Sequence, residues 1–257
     1  MQAVILAAGR GSRLKPLTDN TPKPFVKIIG IDLFHTILDN LIQLGITEVI
    51  VAVGYLKEYF YEHVGSEYKT LKISYVEVLD WESVNNSISL YKTKDMVKSG
   101  FILIEGDEYF LDQFIPSELL FDEKNYWVAT KERETGCLLH ADEQGRIVDL
   151  QIIRDVSAVD GMNDWYKSCG VVKIADQYRD TFFEKLGAFL SANDTNRNQY
   201  YDIFLRQHLG DLPLNLAPLP KGVIWGEIDT IEDIQKLENT IARMQKLGNY
   251  MPKDIAV

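Results

Sequence analysis

The sequence predicts an α/β fold with a doubly wound, mostly parallel sheet and an inserted antiparallel hairpin. In the first half, short apolar runs alternate with segments of helical periodicity, and after about residue 125 strand-like runs follow one another directly. The 257 residues can bury a sizeable core, and neither a repeat nor a low-complexity linker divides them. We therefore expect a single domain over 1–257, made of a first half over about 1–125, a second half over 126–229, and a C-terminal helix and tail over 230–257.

The first half contains four apolar runs that suit buried strands. They are Ala3–Ala7, Glu48–Val53, Lys72–Val78 and Phe101–Ile104. Between the first two runs, apolar residues recur at helical spacing; Asp32 can cap this helix and Gly45 can end it. A second helix can begin at Asn86. This alternation predicts parallel strands that are connected by helices.

The second half contains strand-like runs that are close together in the sequence. They are Tyr126–Thr130, Cys137–Ala141, Ile147–Ile153 and Ser168–Ile174. The sequence DEQG at 142–145 suits a hairpin turn, so the second and third runs are predicted to form an antiparallel hairpin beside the main sheet. The helices expected here are Tyr178–Leu190, Gln199–Leu209 and a final helix that begins near Thr230.

Composition and charge narrow the classes of partner. The formal net charge of −11 argues against nucleic acid or an anionic membrane surface as the main partner. No apolar run approaches the length of a transmembrane helix. The two cysteines, Cys137 and Cys169, lack metal-type spacing, which favours a cytoplasmic protein with reduced thiols. An anionic substrate would therefore need a local cluster of basic groups.

Such a cluster lies in the loop that follows the first strand, where residues 6–24 read LAAGRGSRLKPLTDNTPKP. Gly9 and Gly11 allow backbone N–H groups to approach phosphate oxygens, and the Ser12 hydroxyl can add a donor. The guanidinium of Arg13 can donate two parallel hydrogen bonds to phosphate oxygens. Lys23, which lies between two prolines, offers a single positive charge. The loop lacks the third glycine of a dinucleotide-binding motif and the GKS or GKT of a Walker loop. These features indicate a site that holds a triphosphate.

This segment resembles the signature LAAGxGxRLxPLTxxxPKxL of nucleotidyltransferases that make activated sugars and activated phospho-alcohols. The matching residues are Leu6, Ala7, Ala8, Gly9, Gly11, Arg13, Leu14, Pro16, Leu17, Thr18, Pro22 and Lys23. The resemblance implies a Rossmann-like nucleotidyltransferase fold and an enzyme that joins a nucleoside triphosphate to a phosphorylated acceptor and releases pyrophosphate. It further implies that Gly9 and Gly11 line the nucleotide, that Arg13 contacts the leaving phosphates, and that Lys23 contacts the phosphate under attack.

Two aspartates suit a metal ion. Asp107 follows the strand of ILIEGDEYF, and Asp229 lies in WGEIDTIEDI before the final helix, which it can also cap. One or two carboxylates commonly hold the Mg²⁺ that neutralises phosphate charge. The resemblance implies that both aspartates are metal ligands, so Mg²⁺ is the expected cofactor and Lys23, Arg13 and Asp107 are the expected catalytic residues. An attacking phosphate is already ionised near neutral pH, so no general base is required.

Residues 81–95, WESVNNSISLYKTKD, are similar to the NNxxSLYxxK segment of bacterial CTP:phosphocholine cytidylyltransferases, which 2-aminoethylphosphonate cytidylyltransferases share. The amides of Asn85 and Asn86 suit the edge of a pyrimidine, although Asn86 can also cap a helix. CTP is therefore the expected nucleotide, bound in the first half of the chain. The expected nucleotide-binding residues are Leu6, Ala8, Gly9, Gly11, Ser12, Arg13, Lys23, Asn85, Asn86 and Ser89.

The acceptor is expected in the second half, and the resemblance favours phosphocholine. A quaternary ammonium needs aromatic faces with a carboxylate nearby, whereas the primary amine of 2-aminoethylphosphonate or phosphoethanolamine needs carboxylates and carbonyls. The expected acceptor-binding residues are Lys131, Tyr109, Trp165, Tyr201, Asp202 and Glu227. A sugar-1-phosphate nucleotidylyltransferase and a non-catalytic sensor with this fold remain alternatives. Dimers occur in the family, so a homodimer is a further expectation, although no exposed stripe in the sequence indicates its interface.

Overall fold

The main sheet runs through both halves of the chain in a computed structural model that describes residues 1–132 and 134–246. The strands are β1 Gln2–Ala7, β2 Lys27–Ile28, β3 Ile31–Asp32, β4 Glu48–Val53, β5 Glu67–Tyr68, β6 Leu71–Glu77, β7 Phe101–Glu105, β8 Glu108–Phe110, β9 Asn125–Thr130, β10 Gly136–Ala141, β11 Ile147–Ile153, β12 Trp165–Ile174, β13 Leu214–Pro218 and β14 Trp225–Glu227. The helices are α1 Leu33–Gln43, α2 Lys57–His63, α3 Asn86–Lys92, α4 Arg179–Ala192, α5 Tyr201–Gln207 and α6 Ile231–Lys246.

The strand order of the main sheet is β11-β10-β12-β7-β1-β4-β6-β5, and β9 joins it by pairing with β12. The central strand β1 pairs in parallel with β4 and β7, and β4 pairs in parallel with β6. The predicted hairpin is β10–β11, and β12 connects it to β7 through antiparallel pairing. The predicted fold class is confirmed, and the hairpin extends the main sheet at one edge.

Both faces of the sheet are covered, as a doubly wound fold requires. All six residues of β1 are buried. Alternate residues of β1 belong to two different core clusters: Ile5 packs with Phe34 of α1 and Phe60 of α2, while Val4 packs with residues of α3, α4 and α5 such as Phe182. This burial on both faces explains why the first strand is a continuous apolar run.

The helix boundaries follow local capping. Asp32 caps α1 by accepting a hydrogen bond from His35 N, and Gly45 lies just beyond its end with a φ of 75°, as the sequence predicts. Helix α3 begins at Asn86, but its cap is Asn85, whose side chain accepts from Asn86 N. The prediction that Asn86 caps this helix was therefore wrong by one residue. The predicted tail beyond residue 246 lies outside the described residues.

Two short strands position the site. Strand β8 pairs with β14 in antiparallel register, with Glu108 opposite Glu227 and Phe110 opposite Trp225. This pairing brings the segment after β7 next to the segment that precedes α6. Within the described residues, no helix combines the length and the hydropathy needed to cross a bilayer.

Candidate active site

A cavity of about 1070 Å³ opens where the parallel strands β1 and β7 end. Open α/β sheets commonly bind ligands at this edge. At one end, its lining comes from the glycine loop and the start of α3: Leu6, Ala8, Gly9, Trp81, Val84, Asn85, Asn86 and Ser89. At the other end, the lining comes from the hairpin, β12, α5 and β14, including Gly136, Cys137, Lys167, Asp202 and Glu227.

A smaller pocket of about 250 Å³ lies beneath the glycine loop. Its lining includes Gly11, Ser12 and Lys23, and it shares Arg13, Asp107 and Asp229 with the large cavity. The structure therefore brings all ten residues of the predicted nucleotide-binding set to the lining of these two adjoining spaces.

Lys23 lies between Asp107 and Asp229, the two candidate metal ligands. Its Nζ is 2.7 Å from Asp107 Oδ2 and 2.6 Å from Asp229 Oδ1, and Arg13 Nη2 is 2.8 Å from the same Asp229 oxygen. Burial lowers the pKa of Lys23, but the two carboxylates outweigh burial and raise it above its usual value. Burial raises the pKa of Asp229, but the charges of Lys23 and Arg13 outweigh burial and lower the pKa below its usual value. Lys23 and Asp229 are therefore both charged at neutral pH.

Glycine at position 11 allows the loop to pass directly over Lys23. Gly11 has a φ of 65°, and a Cβ there would lie 2.9 Å from Lys23 Cβ. The carbonyl oxygen of Gly11 accepts a hydrogen bond from Thr18 Oγ1 at 2.9 Å, and Tyr55 Oη donates to Thr18 O at 3.0 Å. The loop thus has a fixed conformation over the lysine.

The acidic residues around Asp107 fit a divalent cation. Asp107 Oδ1 is buried and has no hydrogen-bond partner within the described part of the chain. An orphaned buried carboxylate oxygen is costly unless a partner such as a metal ion satisfies it. Glu105, Asp107 and Glu108 each offer an oxygen atom, and these atoms lie within 4.8 Å of one another. This cluster includes one of the two aspartates predicted from the sequence and adds two glutamates.

The far end of the cavity carries buried charge. Lys167 is 3% exposed, and its Nζ donates to Glu227 Oε2 at 2.7 Å. Asp202 is 5% exposed, and burial raises its pKa to about 6 although a hydrogen bond from the Cys137 thiol opposes this rise. Lys167 was not predicted from the sequence. The available signal was a lysine inside the mostly apolar strand run YKSCGVV.

Four predicted acceptor-binding residues do not line the cavity. Tyr109 is 1% exposed in a small core beneath α6, because successive residues of a strand face opposite sides and its neighbour Glu108 faces the cavity. Trp165 stacks on His140, and Lys131 Nζ lies 3.8 Å from the centre of the Tyr166 ring. Tyr201 is fully buried and donates from Oη to Glu105 Oε1 at 2.6 Å. Only Asp202 and Glu227 of the predicted set reach the cavity.

The oxygens of both predicted base-reading asparagines have partners inside the protein. Asn85 Oδ1 accepts from Asn86 N at 2.8 Å, and Asn86 Oδ1 accepts from Tyr201 N at 2.9 Å. Asn85 Nδ2 donates to Asn198 O at 3.4 Å. Recognition of a pyrimidine by these residues therefore stays a prediction.

Comparison with known proteins gives this arrangement a family context. Residues 2–125 match the nucleotidyl transferase family. These residues form a nucleotidyl transferase domain. The chain is also 29% identical to choline-phosphate cytidylyltransferase of Streptococcus pneumoniae, over 94% of this chain and 98% of the relative. It is 26% identical to 2-aminoethylphosphonate cytidylyltransferase of Lancefieldella rimae, over 92% of each chain.

Solved structures share the fold beyond the nucleotidyl transferase domain. The CTP:phosphocholine cytidylyltransferase from Streptococcus pneumoniae superposes with a TM-score of 0.73 at 23% identity, covering 93% of this chain and 98% of that structure. The inositol-1-phosphate CTP transferase from T. maritima gives a TM-score of 0.68 at 19% identity, covering 93% and 95%. The nucleotidyltransferase fold predicted from the sequence is therefore confirmed.

Gly170 allows β12 to pass close to the nucleotidyl transferase domain, and its substitution should be costly. It has a φ of 62°, and a Cβ there would lie 2.8 Å from Glu108 Cδ. We expect Gly170→Ala to lower the free energy of unfolding by about 2–3 kcal/mol, because it combines a left-handed backbone with overpacking. Urea denaturation measures this change. Gly161→Ala is the control, since no atom lies within 4 Å of a Cβ there; equal stability of the two variants would contradict the expectation.

Proposed function

We propose that this protein is a cytidylyltransferase that transfers CMP from CTP to a small phosphate- or phosphonate-bearing amine and releases pyrophosphate. The convergence of Arg13, Lys23, Asp107 and Asp229 at one end of a cavity carries this proposal. The names of the two relatives that span the chain, a choline-phosphate and a 2-aminoethylphosphonate cytidylyltransferase, support it.

The basic side chains hold the triphosphate in the proposed reaction. Phosphate oxygens compete with Asp107 and Asp229 for Lys23 and Arg13. Nucleotide binding therefore breaks the ion pairs between these basic side chains and the two carboxylates. Arg13 then holds the leaving phosphates and Lys23 the α-phosphate. An ionised oxygen of the acceptor attacks the α-phosphorus, and the bond from that phosphorus to the pyrophosphate oxygen breaks. The acceptor oxygen carries no proton to remove, and this step is consistent with a cavity lining in which no described residue is a histidine.

Asp107 and Asp229 are the proposed ligands of Mg²⁺, with Glu105 and Glu108 beside them. The unpartnered Asp107 Oδ1 supports this assignment. Bound there, Mg²⁺ would neutralise negative charge that develops on the α-phosphate. The freed carboxylates of Asp107 and Asp229 supply the hard oxygen ligands that this cation prefers.

The far end of the cavity suits the ammonium group of the acceptor. Asp202 and Glu227 line it, and Glu227 is paired with Lys167, while Arg13 and Lys23 belong to the segment of the glycine loop, so a zwitterion would find charges of both signs in this site. Among the described residues that line this cavity, the aromatic ones are Trp81, which lies near Ala8 at the nucleotide end, and Tyr200, which precedes α5 and lies two positions before Asp202.

This distribution of aromatic and acidic side chains favours a second candidate acceptor over phosphocholine, the acceptor expected from the sequence. A quaternary ammonium cannot donate hydrogen bonds and is held best by aromatic faces. A primary ammonium donates three hydrogen bonds and is satisfied by carboxylates. The acceptor end offers the carboxylates of Asp202 and Glu227 and a single aromatic ring, that of Tyr200, so 2-aminoethylphosphonate and phosphoethanolamine fit it better than phosphocholine.

An assay of pyrophosphate release tests the proposal. The four nucleoside triphosphates are combined with phosphocholine, phosphoethanolamine, 2-aminoethylphosphonate and sugar 1-phosphates, with and without Mg²⁺. We expect turnover with CTP and Mg²⁺, and a kcat/KM for a primary amine at least about tenfold above that for phosphocholine, since one charge-assisted hydrogen bond accounts for such a factor. Turnover with a sugar phosphate and none with an amine would contradict the proposed function.

We further propose that residues 1–125 bind the nucleotide and residues 126–229 bind the acceptor within a single domain. The net charge of −11 supports a protein that binds neither nucleic acid nor membranes, and the free thiols of Cys137 and Cys169 support a cytoplasmic location. A homodimer is proposed on the family resemblance, and light scattering in solution measures it.

A further inference from the structure

Helix α5 receives its N-terminal cap from a distant part of the chain. The first N–H groups of a helix need acceptors outside it, and the residue at the cap position, Tyr200, provides no side-chain hydrogen bond. The amide of Tyr201 instead donates to Oδ1 of Asn86 at 2.9 Å, across 115 positions of sequence. Asn86 is the first residue of α3, so one helix caps another.

Three more hydrogen bonds join the same two segments. Asn85 N donates to Arg197 O at 3.2 Å, and Asn85 Nδ2 donates to Asn198 O at 3.4 Å. Ser87 Oγ donates to Gln199 O at 2.6 Å. Each of residues 85–87 therefore forms at least one hydrogen bond with residues 197–201. Ser87 is fully buried and does not line the cavity.

The first turn of α5 carries groups of the acceptor end. The Tyr201 hydroxyl donates to Glu105 Oε1 at 2.6 Å. The next residue, Asp202, lines the cavity and accepts from the Cys137 thiol. Because Asp202 is on the first turn, a shift in the start of the helix moves its carboxylate directly. The contacts made by residues 85–87 thus determine where this carboxylate lies.

We propose that Asn86 and Ser87 are positioning residues that hold the first turn of α5 so that Asp202 meets the ammonium group of the acceptor. This inference rests on the proposed function, because it assigns Asp202 to the acceptor. It gives the NNS sequence at 85–87 a role in acceptor binding, which differs from the direct contact with cytosine expected from the sequence. The nucleotide end and the acceptor end are then connected through α3 and α5.

Steady-state kinetics of Ser87→Ala, Asn86→Ala and Asn86→Asp test this role. Ser87→Ala and Asn86→Ala should raise the KM for the acceptor about tenfold, the factor that corresponds to the loss of one buried hydrogen bond in the first variant and of the α5 cap in the second. Ser87 lies outside the cavity, so Ser87→Ala should leave the KM for CTP within about twofold, which a general loss of structure would not do. Asn86→Asp keeps an oxygen for Tyr201 N and should restore the acceptor KM.

Thr195→Ala is the matched control, because Thr195 is exposed two positions before residues 197–201 and its hydroxyl donates to Asn193 Oδ1. It should leave both KM values unchanged. The proposal is overturned if Ser87→Ala raises the two KM values equally, or if Asn86→Asp binds the acceptor as poorly as Asn86→Ala.

Hydrogen exchange at the Tyr201 amide separates this inference from the proposed function. Exchange should accelerate about tenfold in Asn86→Ala and stay slow in Asn86→Asp, whether or not any acceptor is turned over. Absence of turnover with every acceptor in the wild type would contradict the proposed function, and slow exchange at Tyr201 would show that the cap itself still stands. Unchanged exchange in Asn86→Ala would overturn the cap, and with it the positioning role.

Discussion

Lys23→Ala is expected to slow pyrophosphate release from CTP at least about a hundredfold, the scale of losing one electrostatic stabiliser. Lys23 Nζ contacts both Asp107 and Asp229 within 2.7 Å. Its removal eliminates the cation that would hold the α-phosphate, and it leaves two carboxylates facing an anionic substrate. The measurement is kcat at saturating CTP and acceptor, together with kcat/KM for CTP. Both should fall, because the contact strengthens in the transition state.

Lys15→Ala is the matched control for this variant. Lys15 belongs to the same loop and is 47% exposed, and its Nζ is 3.7 Å from Asp19 at the surface. Pairs of this kind contribute little, so turnover should stay close to that of the wild type. Near-normal turnover in Lys23→Ala would remove Lys23 from the mechanism, and a comparable loss in Lys15→Ala would attribute the effect to the charge of the loop as a whole.

Local sequence signals were sufficient for most strands of the main sheet and for the glycine-loop end of the cavity. The apolar run of β1, the Asp32 cap and the turn at 142–145 each depend on residues a few positions apart. The glycine loop is equally local, since its glycines, Arg13 and Lys23 lie within fifteen residues. Asp107 follows an apolar strand that the sequence identifies, so its placement at the sheet edge could also be predicted.

The acceptor end depends on contacts between distant residues, which the sequence pattern does not contain. Lys167 pairs with Glu227 across 60 positions, and Glu108 accepts from Trp225 Nε1 across 117 positions. Strand β8 has only three residues, so its alternation is too short to show which side chain faces the core; Tyr109 was therefore expected at the acceptor although it packs in the core. For Asn86, the sequence shows that an amide is present. It does not show that the amide oxygen already accepts a hydrogen bond from Tyr201 N.

Asp107→Asn is expected to reduce turnover at least about a hundredfold and to weaken binding of Mn²⁺, a spectroscopic substitute for Mg²⁺. Asn has nearly the same shape but is neutral, and Oδ1 of Asp107 is buried without a hydrogen-bond partner within the described residues. The substitution therefore removes a charged oxygen ligand while it keeps the packing. Electron paramagnetic resonance titration of Mn²⁺ in the presence of a non-hydrolysable CTP analogue measures the binding separately from the reaction.

The control for Asp107→Asn is Asp211→Asn, because Asp211 is half exposed and pairs with Lys185 at 2.9 Å outside the cavity. It should change neither turnover nor Mn²⁺ affinity. If Asp107→Asn lost turnover but bound Mn²⁺ as tightly as the wild type, Asp107 would act on the phosphates through Lys23 and not as a metal ligand. Retention of both properties would contradict the assignment of this carboxylate altogether, since Glu105 and Glu108 would then suffice to hold the ion.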